Sequence, residues 1–417
     1  MASLTDSGDH HHPGSPPSYR GLAVLLACLS AIGPFSIDTY LPAFPSIAKA
    51  LGATDLQVQQ TLTAYLAPFA FMMLWHGALS DALGRRRVIL WGLALYGAAS
   101  LVCVFALRIE HLWLGRALQG LSAGAGMIVG RAIIRDLLDG AAAQRLMAQS
   151  AMVFAIAPAI APIIGGWIHA FFDWHVIFAF LTLFAATLWL AVWKRLPETL
   201  PPEKRQDLHP LHLWHAYLAV FGHPRFLLLA LTVALNFAGF FIYVLSAPVF
   251  LMRHLGVSAQ GFAWMFVPAV AGMMLGSWLS GRSAGRLSSQ RSLAIAYGLM
   301  LAAAVANLGL NLVIVPGLPW AVLPLALYTC GMAYSMPILT LLALDLFPVR
   351  RGLASSCQGT IQTGLNALIA AVVVPLLWDS RLTLAMGMAG FLLLGLAAHL
   401  LTPVRKPLDS TPEETPS

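Results

Sequence analysis

Twelve uniformly apolar runs, each about 20 residues long, constrain the fold of this chain more than any other feature. A helix of that length crosses the ~30 Å hydrocarbon layer of a bilayer, whereas a barrel strand would show roughly ten residues of alternating polarity. Only 10% of the 417 residues are charged and 59% are hydrophobic, so a water-soluble fold is excluded. We therefore predict an all-α membrane protein with spanning helices at 21–43, 56–79, 88–107, 111–131, 145–169, 174–193, 226–250, 261–281, 291–314, 319–343, 353–377 and 382–402.

The longest polar break divides these runs into two sets of six. It covers 194–225 and contains five prolines. A weak internal repeat supports the division, because the loop at 79–85 has a degenerate counterpart at 279–286. Repeated six-helix bundles are a transporter architecture with the substrate site between the halves. The predicted organisation is a disordered cytoplasmic tail at 1–19, a bundle at 20–193, a cytoplasmic linker at 194–225, a bundle at 226–402 and a cytoplasmic tail at 403–417.

Basic residues are concentrated in the loops on one side of the predicted membrane. Of the 24 Lys and Arg residues, 19 fall in these loops. The positive-inside rule places this side, and with it both termini, in the cytoplasm. The net charge of +7 therefore reflects topology and gives no support for a nucleic-acid partner. The lipid bilayer is the expected partner.

One acidic and one basic residue are predicted to lie inside spanning helices, away from the loops. Asp38 and Arg116 are each about five residues from the same end of their helices, so both lie roughly 7 Å below that surface. Charges inside a bilayer cost at least ~2.5–3.5 kcal/mol and mark ion or substrate paths. Conformations that change the separation of the two groups would load and unload a proton on Asp38. The alternative is an interfacial Asp38 reached by water near Pro42, with Arg116 extending its charge to the surface.

The loop after the second run combines glycines, a carboxylate and three arginines. Gly84 permits a tight turn, and Arg85 could pair with Asp136 at the end of the fourth helix. Such a cluster can hold one conformation closed on the cytoplasmic side. The alternative is a simple basic loop that only sets topology. The predicted cytoplasmic gate consists of Gly77, Asp81, Gly84, Arg85, Arg86 and Asp136.

Three segments carry a family resemblance. The loop at 77–87 resembles motif A of the major facilitator superfamily, and 114–124 resembles its motif B, whose arginine is tied to proton coupling in that family. Residues 157–166 are similar to its antiporter motif C, with Ala157 and Ala161 where the family usually has Gly. Together with 36–45 and 344–348, these segments resemble the bicyclomycin-resistance (Bcr/CflA) branch of the drug:proton antiporters.

The resemblance implies a major facilitator fold of two six-helix bundles in the bacterial inner membrane, with helices 1, 4, 7 and 10 lining a central cavity. It implies multidrug efflux driven by proton influx, with the proton gradient as energy source and no cofactor. In motif C, Pro158 and Pro162 would kink the fifth helix, while Gly165 and Gly166 would let another helix approach closely. A stiff, closely packed joint of this kind would limit proton leak in an exchanger.

Candidate substrate contacts come from the helices that the resemblance places on the cavity. Aromatic walls with a few amides suit a varied set of apolar ligands. Asn236, Phe240 and Tyr243 share one helix face by their spacing. For each candidate the alternative is helix packing or an aromatic belt. The candidates are Tyr40, Tyr65, Asn236, Phe237, Phe240, Tyr243, Tyr334, Met336, Gln358 and Gln362.

No metal site or catalytic residue is predicted. His209, His212 and His215 repeat every three residues, which does not match the i, i+4 pattern of zinc motifs, and 10–12 lies in the predicted tail. The chain lacks HExxH and GxxxxGK[ST] motifs, and its GxSxG match at 120–124 lies inside a predicted spanning helix and not on the strand-to-helix turn of a nucleophile elbow. We therefore predict a proton-coupled efflux antiporter for small amphipathic compounds, acting as a monomer. The alternatives are an uptake symporter or uniporter of the same fold and, less favoured, a non-transporting membrane receptor or enzyme.

Overall fold

The computed structural model describes residues 19–138, 140–205, 210–314 and 316–402, which are helical and contain no β-strand. The predicted tail at 403–417 lies outside the described residues, as do His209, the histidines at 10–12 and the predicted tail at 1–19 up to residue 18. Residue 19 is already part of the first helix.

Twelve helices among the described residues are long and apolar enough to cross a membrane, which confirms the predicted number. They are α1 (Tyr19–Asp38), α2 (Asp55–Leu83), α3 (Arg85–Val104), α4 (Ile109–Leu137), α5 (Gly140–Phe171), α6 (His175–Arg195), α7 (Pro224–Leu245), α8 (Ala263–Ser283), α9 (Ser289–Val313), α10 (Leu323–Leu344), α11 (Arg351–Leu368, continued by a π-helical turn Ile369–Val373 and by Val374–Leu377) and α12 (Arg381–Leu400).

Several helices extend beyond the predicted apolar cores because polar groups stabilise their ends. The N-terminus of α2 has a capping box, in which Thr54 accepts a hydrogen bond from the backbone of Gln57 and the Gln57 side chain accepts one from the backbone of Thr54. A hydropathy criterion does not detect such polar ends. Only α1 and α7 end well before the predicted boundary.

The predicted first helix, 21–43, is wrong at its C-terminal end. The α-helix stops at Asp38, and a 3-10 turn (Leu41–Ala43) and a short helix (Phe44–Leu51) follow. Pro42 has no N–H to donate and disfavours a helical conformation of the residue before it. Similarly, α7 ends at Leu245 instead of 250, ahead of a π-helical segment that begins at Pro248. Asp38 is therefore the last residue of its helix and not part of the helix interior.

Four helices form the centre of the protein. Between 44% and 72% of the apolar stretch is buried in α1, α4, α7 and α10, compared with at most 39% in the other eight. These are the helices that the family resemblance implies should line the cavity. The linker between the two halves contains a further helix, Pro210–Phe221, whose Tyr217 hydroxyl donates to the carbonyl of Leu74 in α2.

The internal repeat also recurs in the tertiary contacts. In the N-terminal half, the hydroxyl groups of Ser36 in α1 and Tyr96 in α3 are 2.5 Å apart. In the C-terminal half, Asn236 in α7 donates to the hydroxyl of Tyr297 in α9 at 3.1 Å. These pairs are 200 and 201 positions apart along the chain, close to the offset between the two loop motifs. The two halves therefore share a buried polar contact at equivalent positions.

The two halves contact each other at one end and along α2 and α11, where the Thr360 hydroxyl donates to the carbonyl of Ala70 at 3.3 Å. We call the end with Arg85 the arginine-rich end and the end with Asp55 and Trp378 the opposite end. Towards the opposite end, the Gln60 side chain in α2 donates to the carbonyl of Ala371 in α11 at 3.1 Å. On the other side of the protein α5 packs on α8. These contacts bring the halves together at the opposite end.

Candidate functional site

Asp38 occupies an unusual position for a carboxyl group. It is only 3% exposed, and its Oδ1 atom has no hydrogen-bond partner. It also terminates α1, where the helix dipole presents its negative end. A negative charge on Asp38 is therefore compensated neither by the backbone of its own helix nor by a hydrogen-bond donor to Oδ1. Compensation must therefore come from another helix or from a bound proton.

Arg116 lies in α4, fully buried between two aromatic rings. Its guanidinium carbon is 4.5 Å from the ring centroid of Tyr40 and 4.4 Å from that of Tyr65. Its Nη1 donates to the side-chain oxygen of Gln119 at 2.6 Å, whereas Nε and Nη2 have no partner. Cation–π contacts contribute ~2 kcal/mol or more when desolvated, so the two tyrosines hold the charge in place.

Asp38 and Arg116 form no salt bridge with each other. The helices that carry them are neighbours, as the predicted pairing required, but no Arg116 nitrogen lies within 4.0 Å of a carboxylate oxygen of Asp38. Tyr40 and Tyr65, which are also candidate substrate contacts, enclose the guanidinium. The site thus contains a buried acid and a buried base, each with unsatisfied polar atoms.

Polar side chains that the sequence analysis did not single out connect this site to neighbouring helices. Gln119 donates to the hydroxyl of Ser100 in α3 at 2.7 Å, and the Tyr40 hydroxyl is 2.8 Å from the hydroxyl of Thr61 in α2. The sequence feature that could have identified these polar residues is their position inside apolar runs. We call Asp38, Tyr40, Tyr65, Arg116 and Gln119 the charge site.

Two glycines of motif C bring α5 into direct contact with this region. A Cβ atom on Gly165 would lie 1.6 Å from the carbonyl oxygen of Thr39, the residue after Asp38. A Cβ atom on Gly166 would lie 2.3 Å from the carbonyl oxygen of Ala259, which precedes α8 in the other half. The close approach predicted for the two glycines is present. The diglycine therefore contacts the backbone between Asp38 and Tyr40 on one side and the C-terminal half on the other.

The two prolines of motif C are accommodated within one helix. Pro158 and Pro162 both lie inside α5, whose helical assignment continues through them to Phe171. Ala157 and Ala161, which replace the usual glycines, are buried. The predicted kink therefore does not interrupt the helix.

The predicted gate assembles around Arg85. Its Nε donates to Asp136 at 3.1 Å, its Nη1 donates to the hydroxyl of Ser80 at 2.7 Å, and it forms a salt bridge with Asp81. The predicted contact between Arg85 and Asp136 is therefore present. Arg86 donates to the backbone carbonyl of Trp193 at the end of α6. The cluster joins the ends of α2, α3, α4 and α6.

Glu198 is a further member of this cluster that the sequence analysis missed. Its Oε1 accepts hydrogen bonds from the backbone N–H groups of Arg85 at 2.9 Å, Thr199 at 3.1 Å and Leu200 at 3.2 Å. Gly84 has φ +102°, and a Cβ there would lie 2.5 Å from Glu198 Oε2. This position therefore needs glycine. A Cβ on Gly77 would approach no atom closer than 4.0 Å, so packing does not explain that glycine.

We expect Arg85→Gln to lower the thermal stability of the purified protein. The substitution removes the positive charge that lies between the carboxylates of Asp81 and Asp136, and hydrogen bonds to charged groups contribute about 1.5–3 kcal/mol. The measurement is the unfolding midpoint in detergent. Arg87→Gln is the matched control, because Arg87 is exposed and its side chain forms no hydrogen bond with the part of the chain that the structure describes. Equal midpoints for the two variants would contradict a structural role for the cluster.

Some candidate substrate contacts in the C-terminal half form side-chain hydrogen bonds inside that half, and the others do not. Asn236 and Tyr243 share a face as predicted, but they bond to Tyr297 and Asn307 of α9, inside their own bundle. Gln358 donates to Thr340 of α10. The other five form no side-chain hydrogen bond with the described residues: Phe240 and Tyr334 are buried, and Phe237, Met336 and Gln362 are half-buried, with Phe237 packed on a neighbouring aromatic ring.

Comparisons with known proteins agree with this architecture. The model of the Major Facilitator Superfamily matches residues 26–371. The Bacillus subtilis protein "Uncharacterized MFS-type transporter YdgK" is 33% identical over 84% of this chain and 88% of its own length. The Haemophilus influenzae "Bicyclomycin resistance protein homolog" is 27% identical over 90% of this chain and 94% of its own. The crystal structure of a D-xylose-proton symporter covers 93% of this chain and 98% of its own, with a TM-score of 0.72 and 15% identity, which shows the fold alone.

Proposed function

Because the chain belongs to the Major Facilitator Superfamily, we propose that it is a proton-coupled antiporter that exports small amphipathic, drug-like compounds. The chain is a multi-pass membrane transporter and not an enzyme. Export of drug-like compounds is supported by relatives that carry the names of drug-resistance proteins. The proposed location is the bacterial inner membrane, with both termini in the cytoplasm, so that the arginine-rich end faces the cytoplasm.

Proton coupling is supported chiefly by the charge site. Asp38 is a buried carboxyl group whose Oδ1 has no hydrogen-bond partner among the described residues, and Arg116 retains two unsatisfied guanidinium nitrogens. When Asp38 is ionised, movement of Arg116 towards it would compensate its charge. When Asp38 is protonated, that attraction is lost. Protonation therefore favours one conformation over the other, which is the requirement for coupling proton movement to transport.

The packing around Asp38 connects the protonation site to the contact between the two halves. The residue after Asp38 contacts Gly165, and the adjacent Gly166 contacts the C-terminal half. A shift at the end of α1 would therefore change the contact between the halves at the opposite end. We propose that the cluster around Arg85, which is formed in this conformation within the N-terminal half, belongs to the gate at the arginine-rich end.

In this proposal the proton and the substrate compete for the central path. The proton gradient supplies the energy, so no bound cofactor takes part. The path lies within one chain, and a monomer suffices.

Transport in inverted membrane vesicles tests the direction and the coupling. We expect vesicles containing the protein to accumulate ethidium, a lipophilic aromatic cation, when their interior is acidic. A protonophore should abolish the accumulation, because antiport requires outward proton movement. Empty vesicles are the control. Accumulation that persists without a gradient would indicate a uniporter, and loss of preloaded ethidium driven by the proton gradient would indicate a symporter.

A further inference from the structure

A cavity of about 270 Å³ lies between the two halves at the opposite end. The N-terminal half contributes the start of α2 and the short helix after α1, and the C-terminal half contributes the segment after α7 and the end of α11. The lining residues used below are Phe44, Asp55, Val58, Met252, Arg253 and Trp378. The cavity is separate from the charge site, which is buried inside the N-terminal half.

The two charged residues of the cavity come from different halves. Asp55 and Arg253 are both exposed, and no salt bridge joins them within 4.0 Å. Each is therefore available to an oppositely charged group. A carboxylate binds an ammonium ion, and a guanidinium binds a carboxylate through two parallel hydrogen bonds. The pair is complementary to a zwitterion.

The remaining lining is apolar and aromatic. Phe44 and Trp378 come from opposite halves, and Val58 and Met252 complete the apolar lining. The volume equals that of roughly nine water molecules, which is enough for one aromatic amino acid. An apolar cavity with a few convergent polar groups is typical of small-molecule sites.

The cavity depends on the conformation of the protein. Its walls belong to both halves, and the hydrogen bond from Gln60 to Ala371 joins the halves about 7 Å deeper along α2. Separation of the halves at this end would divide the lining residues between two surfaces. A ligand in the cavity would therefore bind only the closed arrangement and stabilise it.

We propose that this cavity binds a small aromatic zwitterion, with its ammonium group at Asp55 and its carboxylate at Arg253, and that the bound ligand holds the opposite end closed. This goes beyond the proposed export function, because the ligand binds apart from the charge site and regulates transport without itself being transported.

Binding to the purified full-length protein tests the site without any transport assay. The probe is L-phenylalanine, measured by isothermal titration calorimetry in nanodiscs. The comparison compounds are 2-phenylethylamine, which lacks the carboxylate, and 3-phenylpropanoate, which lacks the ammonium group. We expect saturable binding of L-phenylalanine and a loss of at least about tenfold in affinity for each comparison compound, because each lacks one charge-assisted contact.

Substitutions of the two charged lining residues test whether L-phenylalanine binds in this cavity. Asp55→Asn and Arg253→Gln should each weaken L-phenylalanine binding by a similar factor, whereas Asp55→Arg combined with Arg253→Asp should restore it with the ligand reversed. Asp173→Asn and Arg108→Gln are matched controls, because these residues lie at the same end outside the cavity lining. Equal binding of all three compounds, or binding unchanged in both single variants, would overturn the site. Lack of L-phenylalanine binding by the folded wild-type protein would do the same.

The closing effect has its own readout. L-phenylalanine should raise the unfolding midpoint of the wild-type protein and slow ethidium transport, and it should do neither in Arg253→Gln. Binding that leaves transport unchanged would overturn the closing effect while leaving the site intact. A protein that binds L-phenylalanine but shows no proton-driven transport would contradict the proposed antiport alone.

Discussion

We expect the substitution of Asn for Asp38 to abolish proton-driven accumulation of ethidium in inverted vesicles and to leave the protein folded. The side chain keeps its size but can no longer exchange a proton. Asp38 is 3% exposed and its Oδ1 has no partner, so the substitution breaks no recorded hydrogen bond. We therefore expect transport at the level of empty vesicles, together with an unfolding midpoint equal to or above that of the wild type.

The matched control is Asp379→Asn, which changes an exposed carboxyl group between α11 and α12. It should leave both transport and stability unchanged. Gradient-driven accumulation that survives in Asp38→Asn at the wild-type rate would remove Asp38 from the coupling mechanism. A collapsed midpoint would instead indicate that the carboxyl group serves packing.

Gly165→Ala is expected to damage both stability and transport. The added Cβ would lie 1.6 Å from the carbonyl oxygen of Thr39, and a backbone atom cannot rotate away as a side chain can. Either α5 or the end of α1 has to move, and the second movement displaces Asp38. Overpacking of this kind costs about 1–3 kcal/mol. The measurements are the unfolding midpoint and the rate of gradient-driven ethidium accumulation.

Gly33→Ala is the matched control for this substitution. Gly33 also lies in the N-terminal half, in α1, but a Cβ there meets no atom within 4 Å. We expect it to retain wild-type stability and transport. If Gly165→Ala behaved like Gly33→Ala, the contact between α5 and the charge site would have no role in transport.

Local residue patterns predicted the twelve helices because each spanning segment has to be apolar over its whole length. The contact between Arg85 and Asp136 was predictable because both residues lie at ends of helices on the same side of the membrane. The end of α1 at Asp38 was missed because the apolar run continues through Pro42. Glu198 was missed because its hydrogen-bond donors are backbone N–H groups, which every residue except proline has and which a sequence pattern cannot show.

Side-chain roles inside the membrane were predicted less well. Tyr40 and Tyr65 stay candidate substrate contacts, but the sequence did not predict that their rings enclose Arg116. Asn236 and Tyr243 were correctly placed on one face, but helical spacing does not tell towards which neighbour that face turns. Their partners lie more than 60 positions away along the chain.

The amino-acid sequence established the class of protein and the number of spanning helices. It also identified Asp38 and Arg116 as the two residues whose charges are costly inside a bilayer. These follow from transfer of each segment into lipid, a property of short stretches of chain. Which atoms compensate Arg116, where Gly165 and Gly166 make contact, and the cavity between Asp55 and Arg253 required the packed helices. The rotation and spacing of each helix depend on contacts summed over distant parts of the chain, and no local pattern contains that sum.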